Sequence, residues 1–321
     1  MQHILLILLM LFSGFTSALA SSLKFNNDGT FKIVQFTDVH MVHDNPASDV
    51  ALKRIEETIV AERPDLIVFT GDIIFGRPAE EGMREVLETV AKHNVPFVAT
   101  MGNHDSEQGL PNCELYKIVC SIKGNIQPAS EDFTLEIEAS GSQHTAAIIY
   151  CFDSHSGAQN AEVGGYAWIT FDQIETYRKA SSAFTAANSG APLPALAFFH
   201  IPLPEFSIAA SNESIPLIGT RLEKVCCPAI NTGLFASMKE MGDVMGIFVG
   251  HDHDNDFSAM YQNILLAYGR YTGGNTVYNH LDNGARVIVL KEGQRTFDTW
   301  IHLKDNRIID KTTYPTSYMR N

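Results

Sequence analysis

The sequence predicts an α/β protein of four layers (α/β/β/α), two mixed β-sheets packed face to face with helices on both outer sides. Three observations carry this. From Phe31 onward short apolar runs alternate with amphipathic helical stretches, the mark of βαβ units with parallel pairing. Residues 132–152 instead alternate in the two-residue period of an antiparallel hairpin, and four further extended runs follow His253. Five of the apolar runs end on Asp, Asn or His, and functional groups in open α/β sheets gather at the carboxyl ends of strands.

The elements follow in order. Residues 31–36 read as a strand leading into Thr37-Asp38-Val39-His40. Residues 47–62 place Val50, Ile55 and Ile59 on a helical stripe that Pro64-Asp65 ends. Residues 66–69 run into Thr70-Gly71-Asp72, and residues 80–93 form a second helix through Met83, Val86, Leu87 and Val90. Residues 96–100 lead to Gly102-Asn103-His104-Asp105. The hairpin pairs residues 133–138 with 144–152, and residues 171–187 are helical with Ile174 and Tyr177 on the buried side. Residues 195–199 end at His200, and residues 245–249 run into Gly250-His251-Asp252-His253. Further strands are expected at 257–261, 264–268, 285–290 and 296–301. With no repeat or long linker, residues 21–321 read as one domain.

Residues 4–12 are almost unbroken apolar, and Ser17-Ala18-Leu19-Ala20 supplies small residues for cleavage, so residues 1–20 read as a secretory signal peptide cut after Ala20. The alternative is a short anchor helix, but the run falls short of the ~20 residues a span needs. The expectation is a secreted or periplasmic protein with no stable membrane anchor. Lys and Arg total 23 against 37 Asp and Glu, a formal charge of -14. That surface opposes nucleic acid and anionic membrane as bulk partners. Among the five cysteines, Cys113 and Cys120 could close a small loop in an oxidising compartment, Cys151 reads as a buried thiol, and adjacent Cys226 and Cys227 do not suit a mutual bond.

The strand-end residues form two overlapping ligand sets. Asp38, His40 and His253 would serve one ion, Asn103, His200 and His251 the other, with Asp72 bridging. Imidazole and carboxylate without thiolate suit Zn, Mn or Fe. Two divalent ions against two carboxylates leave positive charge and open positions, which lower the pKa of water toward ~7 and make a metal-held hydroxide the attacking group for in-line displacement at phosphorus. His104, beside a ligand, is assigned to the leaving-group oxygen, with Asp105 orienting its imidazole; the alternative is a further ligand or a hydrogen bonder to one. In the Gly-rich stretch 269–275, Arg270 could grip phosphate oxygens and Tyr271 stack on a leaving group, the alternative being an ordinary connection.

Asp-x-His, Gly-Asp, Gly-Asn-His-Asp, a lone strand-end His and Gly-His-x-His, in this order, resemble the calcineurin-like metallophosphoesterase superfamily. The resemblance implies the same ligand split, a histidine in the His104 role and hydrolysis of phosphoric esters. Residues 197–205, 165–169 and 250–257 are similar to the single-domain purple-acid-phosphatase-like proteins. Against true purple acid phosphatases, His40 stands where they have a non-ligand and Phe75 where they place a metal-binding tyrosine, so no purple colour is expected. The function expected is an exported phosphomonoesterase acting on a small phosphorylated substrate. A phosphodiesterase or nucleotidase on the same metal core, or a catalytically silent metal-binding homologue, are the alternatives.

Overall fold

The computed structural model describes residues 22–319, so the expected signal peptide lies outside the described residues. The chain opens with β1 (Leu23–Lys24), β2 (Thr30–Phe36), α1 (Asp49–Glu62), β3 (Leu66–Thr70), α2 (Ala79–Ala91) and β4 (Phe97–Thr100). Helix α3 (Asn112–Ser121) leads to the hairpin β5 (Phe133–Glu138) and β6 (Thr145–Cys151), followed by α4 (Phe171–Ala187) and β7 (Ala195–Phe198). Next come α5 (Pro204–Ser211), β8 (Leu217–Ile218), α6 (Leu234–Met241) and β9 (Val244–Val249). Strands β10 (Ser258–Tyr261), β11 (Ile264–Tyr268), β12 (Gly284–Lys291), β13 (Phe297–Leu303) and β14 (Ile308–Tyr314) complete the fold.

Two mixed sheets result. One runs β14-β13-β12-β2-β3-β4, the other β1-β5-β6-β7-β9-β11-β10-β8. Pairings β2–β3 and β3–β4 are parallel in the first, and β6–β7, β7–β9 and β9–β11 in the second. Alternation along the strands then builds three apolar layers. Ile33, Leu66, Val68 and Val98 meet Ile149, Leu196, Phe198 and Phe248 between the sheets. Val34, Phe36, Ile67 and Phe69 pack outward on Ile55 and Ile59 of α1 and Met83, Val86 and Leu87 of α2. Ile148, Ala197, Ile247 and Leu266 face Ile174 and Tyr177 of α4, Phe206 of α5 and Met238 of α6. The predicted four-layer sandwich is therefore the observed one.

Several boundaries are fixed by local chemistry. Thr170 and Gln173 form a reciprocal capping box at the start of α4, satisfying two free amides. Gln35, on the inner face of β2, donates to the Thr70 hydroxyl (2.8 Å) and the Val249 carbonyl (3.0 Å). One buried amide thus ties the ends of β2, β3 and β9 together across the two sheets, and those ends carry the site.

The Cys113–Cys120 bridge is corrected by α3. Seven residues apart on one helix, their Cα atoms lie about 10.5 Å apart at ~1.5 Å per residue, beyond the ~7 Å a disulfide can span. All five cysteines carry free thiols, Cys113 and Cys120 exposed and Cys151 buried. Thiol titration of the unfolded, unreduced protein is expected to count five; three would reinstate a bridge.

Candidate metal centre

Every predicted ligand sits just past the carboxyl end of a parallel strand. Asp38 and His40 follow β2, Asp72 follows β3 and Asn103 follows β4, while His200 follows β7 and His251 and His253 follow β9. Three strands of one sheet and two of the other therefore aim at one point. Glycine is required where these ends crowd. A Cβ on Gly71 would come within 2.7 Å of His200 Nδ1, one on Gly102 within 2.2 Å of Asp72 Oδ1, and one on Gly250 within 1.9 Å of Thr37 Oγ1. The Gly in Gly-Asp, Gly-Asn-His and Gly-His is thus a demand of close approach. Asp38, His40, Asp72 and His251 adopt left-handed backbone angles, φ of 52°, 48°, 50° and 82°. Each costs about 1–2 kcal/mol for a residue with a Cβ, the kind of local strain that clusters at functional sites.

The side chains form two buried clusters, Asp38 with His40 and His253, and Asp72 with His200 and His251. His40 Nε2 lies 3.0 Å from His253 Nε2, and His200 Nε2 lies 3.1 Å from Asp72 Oδ2 and 3.2 Å from Asn103 Oδ1. Donors held at ~2.0–2.1 Å by one tetrahedral ion stand about 3.3 Å apart, so these spacings are those of a shared coordination shell. Asp72 Oδ1 accepts the His104 amide (2.8 Å), whereas Oδ2 is buried, has no hydrogen-bond partner and also lies 3.8 Å from His40 Nε2. That oxygen faces both clusters. His251 Nε2 is likewise buried without a partner.

The outer nitrogens are occupied. His200 Nδ1 donates to the Thr70 carbonyl (2.7 Å) and His253 Nδ1 to the Tyr278 carbonyl (3.0 Å), which fixes the tautomer that leaves Nε2 free as a ligand. Asp38 accepts from the Thr37 hydroxyl (2.8 Å) and the His251 amide (3.1 Å). Burial drives the His40 and His251 imidazoles well below the ordinary histidine range, so both offer lone pairs. Burial also opposes charge on His200 and Asp72, but their mutual attraction wins, raising the imidazole and depressing the carboxyl. Burial raises the Asp38 carboxyl. Among the described residues neither carboxylate has a Lys or Arg partner. Two buried carboxylates among four imidazoles fit a pair of N/O-liganded cations.

Three readings around His104 and the Gly-rich stretch are corrected. Asp105 does not orient the His104 ring. It is buried and accepts four amides, from Asp72 (2.9 Å), Ile73 (2.8 Å), Ile74 (2.9 Å) and Gly102 (2.7 Å), clamping the turn after β3 to the turn after β4. Burial and the neighbouring Asp72 push its carboxyl upward, and the amides oppose them. The partner of His104 is Glu107, whose carboxylate lies 2.6 Å from Nδ1 within one 3-10 turn. Its signal was the i, i+3 spacing.

Arg270 does not reach the site either. Its guanidinium is buried, pairs with Asp256 and donates to the Asp282 carbonyl (2.6 Å). Tyr271 is 1% exposed and lies behind the ligands, its ring 5.0 Å from His253 and 6.0 Å from His40. The aromatic residue that this loop does expose is Tyr278. Phe75 packs edge-on to His40 at 5.1 Å, so an apolar ring stands beside the imidazole.

Comparison with known proteins agrees with this geometry. The chain is 31% identical over 322 residues to the Arabidopsis thaliana protein named probable inactive purple acid phosphatase 28, covering 88% of this chain and 80% of that one. It is 30% identical over 292 residues to probable inactive purple acid phosphatase 14 of the same plant, covering 78% and 72%. A solved dimetal phosphatase from Danio rerio shares the fold at a TM-score of 0.61 and 12% identity, covering 88% of this chain and 98% of that chain. The five-strand convergence spans the stretch in which residues 31–255 match the calcineurin-like phosphoesterase family, and the chain belongs to that family.

Proposed function

We propose that the chain is an exported, dinuclear metal-dependent hydrolase of small phosphate monoesters. The observation that carries this is the buried Asp72 Oδ2, 3.1 Å from His200 Nε2 in its own donor cluster and 3.8 Å from His40 Nε2 in the other, with His104 standing just outside them. When bound, a pair of Mn, Fe or Zn ions supplies Lewis acidity and makes water a competent nucleophile near neutral pH. Asp38, His40 and His253 would hold one ion and Asn103, His200 and His251 the other, with Asp72 Oδ2 within reach of both sets. His104 is one-third exposed, its ring 5.7 Å from His40, so its Nε2 can give a proton to a departing oxygen. Glu107 keeps Nδ1–H engaged and so sets which nitrogen acts. Export rests on residues 1–20, and the acidic chain leaves attraction of phosphate to the local site.

A second reading, a silent metal-binding homologue, is favoured by the word inactive in the relatives' names. Against it stand all seven ligand side chains and His104. The test is metal analysis together with turnover of p-nitrophenyl phosphate and its bis ester. Two ions per chain and preferential monoester turnover are expected. A preference for the bis ester selects the diesterase reading, and two ions without turnover on a broad panel selects the silent one. His104→Ala is expected to keep both ions and lose on the order of 10²–10⁴ in kcat. Loss of metal in that variant makes His104 a ligand.

A further inference from the structure

Three partly exposed aromatic rings, carried by three separate segments, stand against the buried imidazoles. Phe75, three residues past Asp72, packs edge-on to His104 at 5.0 Å as well as to His40. Tyr166, between β6 and α4, meets His251 at 4.4 Å and 88°. Tyr278, between β11 and β12, lies 4.6 Å from His253 and is 55% exposed. Its hydroxyl donates to Glu223 Oε2 (3.0 Å), so the ring is fixed and its polar tip is already satisfied. Partly exposed rings around a buried polar site are apolar area that a ligand can cover.

Charge around the same mouth points the same way. Glu107 and Glu223 place carboxylates beside His104 and Tyr278. Arg270 is committed to Asp256, and Arg77 donates to the Glu107 carbonyl (3.3 Å). A chain of several phosphates would meet those carboxylates outside the ligand clusters, whereas one phosphoryl group bearing a flat ring would not.

We propose that this site selects esters of a single phosphoryl group whose leaving group carries a planar aromatic ring, held by Phe75, Tyr166 and Tyr278. The proposal rests on the hydrolase reading above. Aryl esters are a poor test, because a phenoxide leaves more easily whatever the rim does. Benzyl and butyl phosphate both release primary alkoxides and differ mainly in the ring.

Benzyl phosphate is expected to exceed butyl phosphate in kcat/KM on the order of tenfold. Tyr278→Ala and Phe75→Leu should each lower that ratio. Calorimetric binding of benzylphosphonate and butylphosphonate to the metal-loaded protein should show the same preference without any turnover. Equal kcat/KM for the two esters, or a ratio that both variants leave unchanged, overturns the rim and leaves hydrolysis standing. Selective benzylphosphonate binding without turnover of either ester keeps the rim and overturns hydrolysis. Equal binding without turnover overturns both.

Discussion

Asp72→Ala is expected to lower the metal content from two ions per chain to fewer than one and to reduce ester turnover by on the order of 10³-fold or more. The reason is geometric. Oδ2 of Asp72 is the buried oxygen that faces both clusters, 3.1 Å from His200 Nε2 and 3.8 Å from His40 Nε2. Its loss would remove a donor within reach of both clusters and one of the two carboxylates they contain. His251→Ala touches one cluster and is expected to leave one ion. Asp72→Asn separates the two jobs of this side chain: an amide oxygen can still accept the His104 amide as Oδ1 does, but the charge is gone. Metal analysis with a circular dichroism check for folding reads the result. An Asp72→Ala protein that retains two ions contradicts the shared-carboxylate arrangement.

This centre was legible in the sequence because its logic is local and repeated. A short apolar run reads as a strand, its last residues read as a turn, and one Asp or His two residues beyond the strand is visible without any tertiary knowledge. The same locality let the hairpin strand Phe133–Glu138, helix Phe171–Ala187 and strand Ile264–Tyr268 be placed to the residue. What failed depended on partners far along the chain. Arg270 beside a Gly-rich loop looks like a phosphate clamp until Asp256 and the Asp282 carbonyl are seen to hold it. Asp105 looks like the orienting acid because it adjoins His104, yet its oxygens turn back to four amides, and Glu107 takes that place from the next turn. Leu115, Ile118, Val119 and Ile122 repeat at helical spacing, and a helix there excludes the Cys113–Cys120 bridge.

The corrected place of Arg270 makes the other large effect one of stability. Asp256 is fully buried, pairs with Arg270, and through its carbonyl accepts Arg286 Nη2 (2.6 Å), another buried guanidinium. It also accepts the Thr220 amide and follows His253 by three residues, so it fixes the turn that carries two ligands. Asp256→Ala would leave the Arg270 charge buried without its partner, and is expected to cost about 3–5 kcal/mol. Arg270→Met together with Asp256→Leu removes both charges and fills the space, so the double variant is expected to lose less than the two single changes summed. Denaturant melts of the parent, Arg270→Met, Asp256→Leu and the double variant measure this coupling. Kinetics on protein that remains folded separate a core ion pair from a phosphate grip. If Arg270 gripped phosphate, Arg270→Met would raise KM sharply at unchanged stability, whereas a core ion pair predicts lost stability with KM within about threefold of the parent.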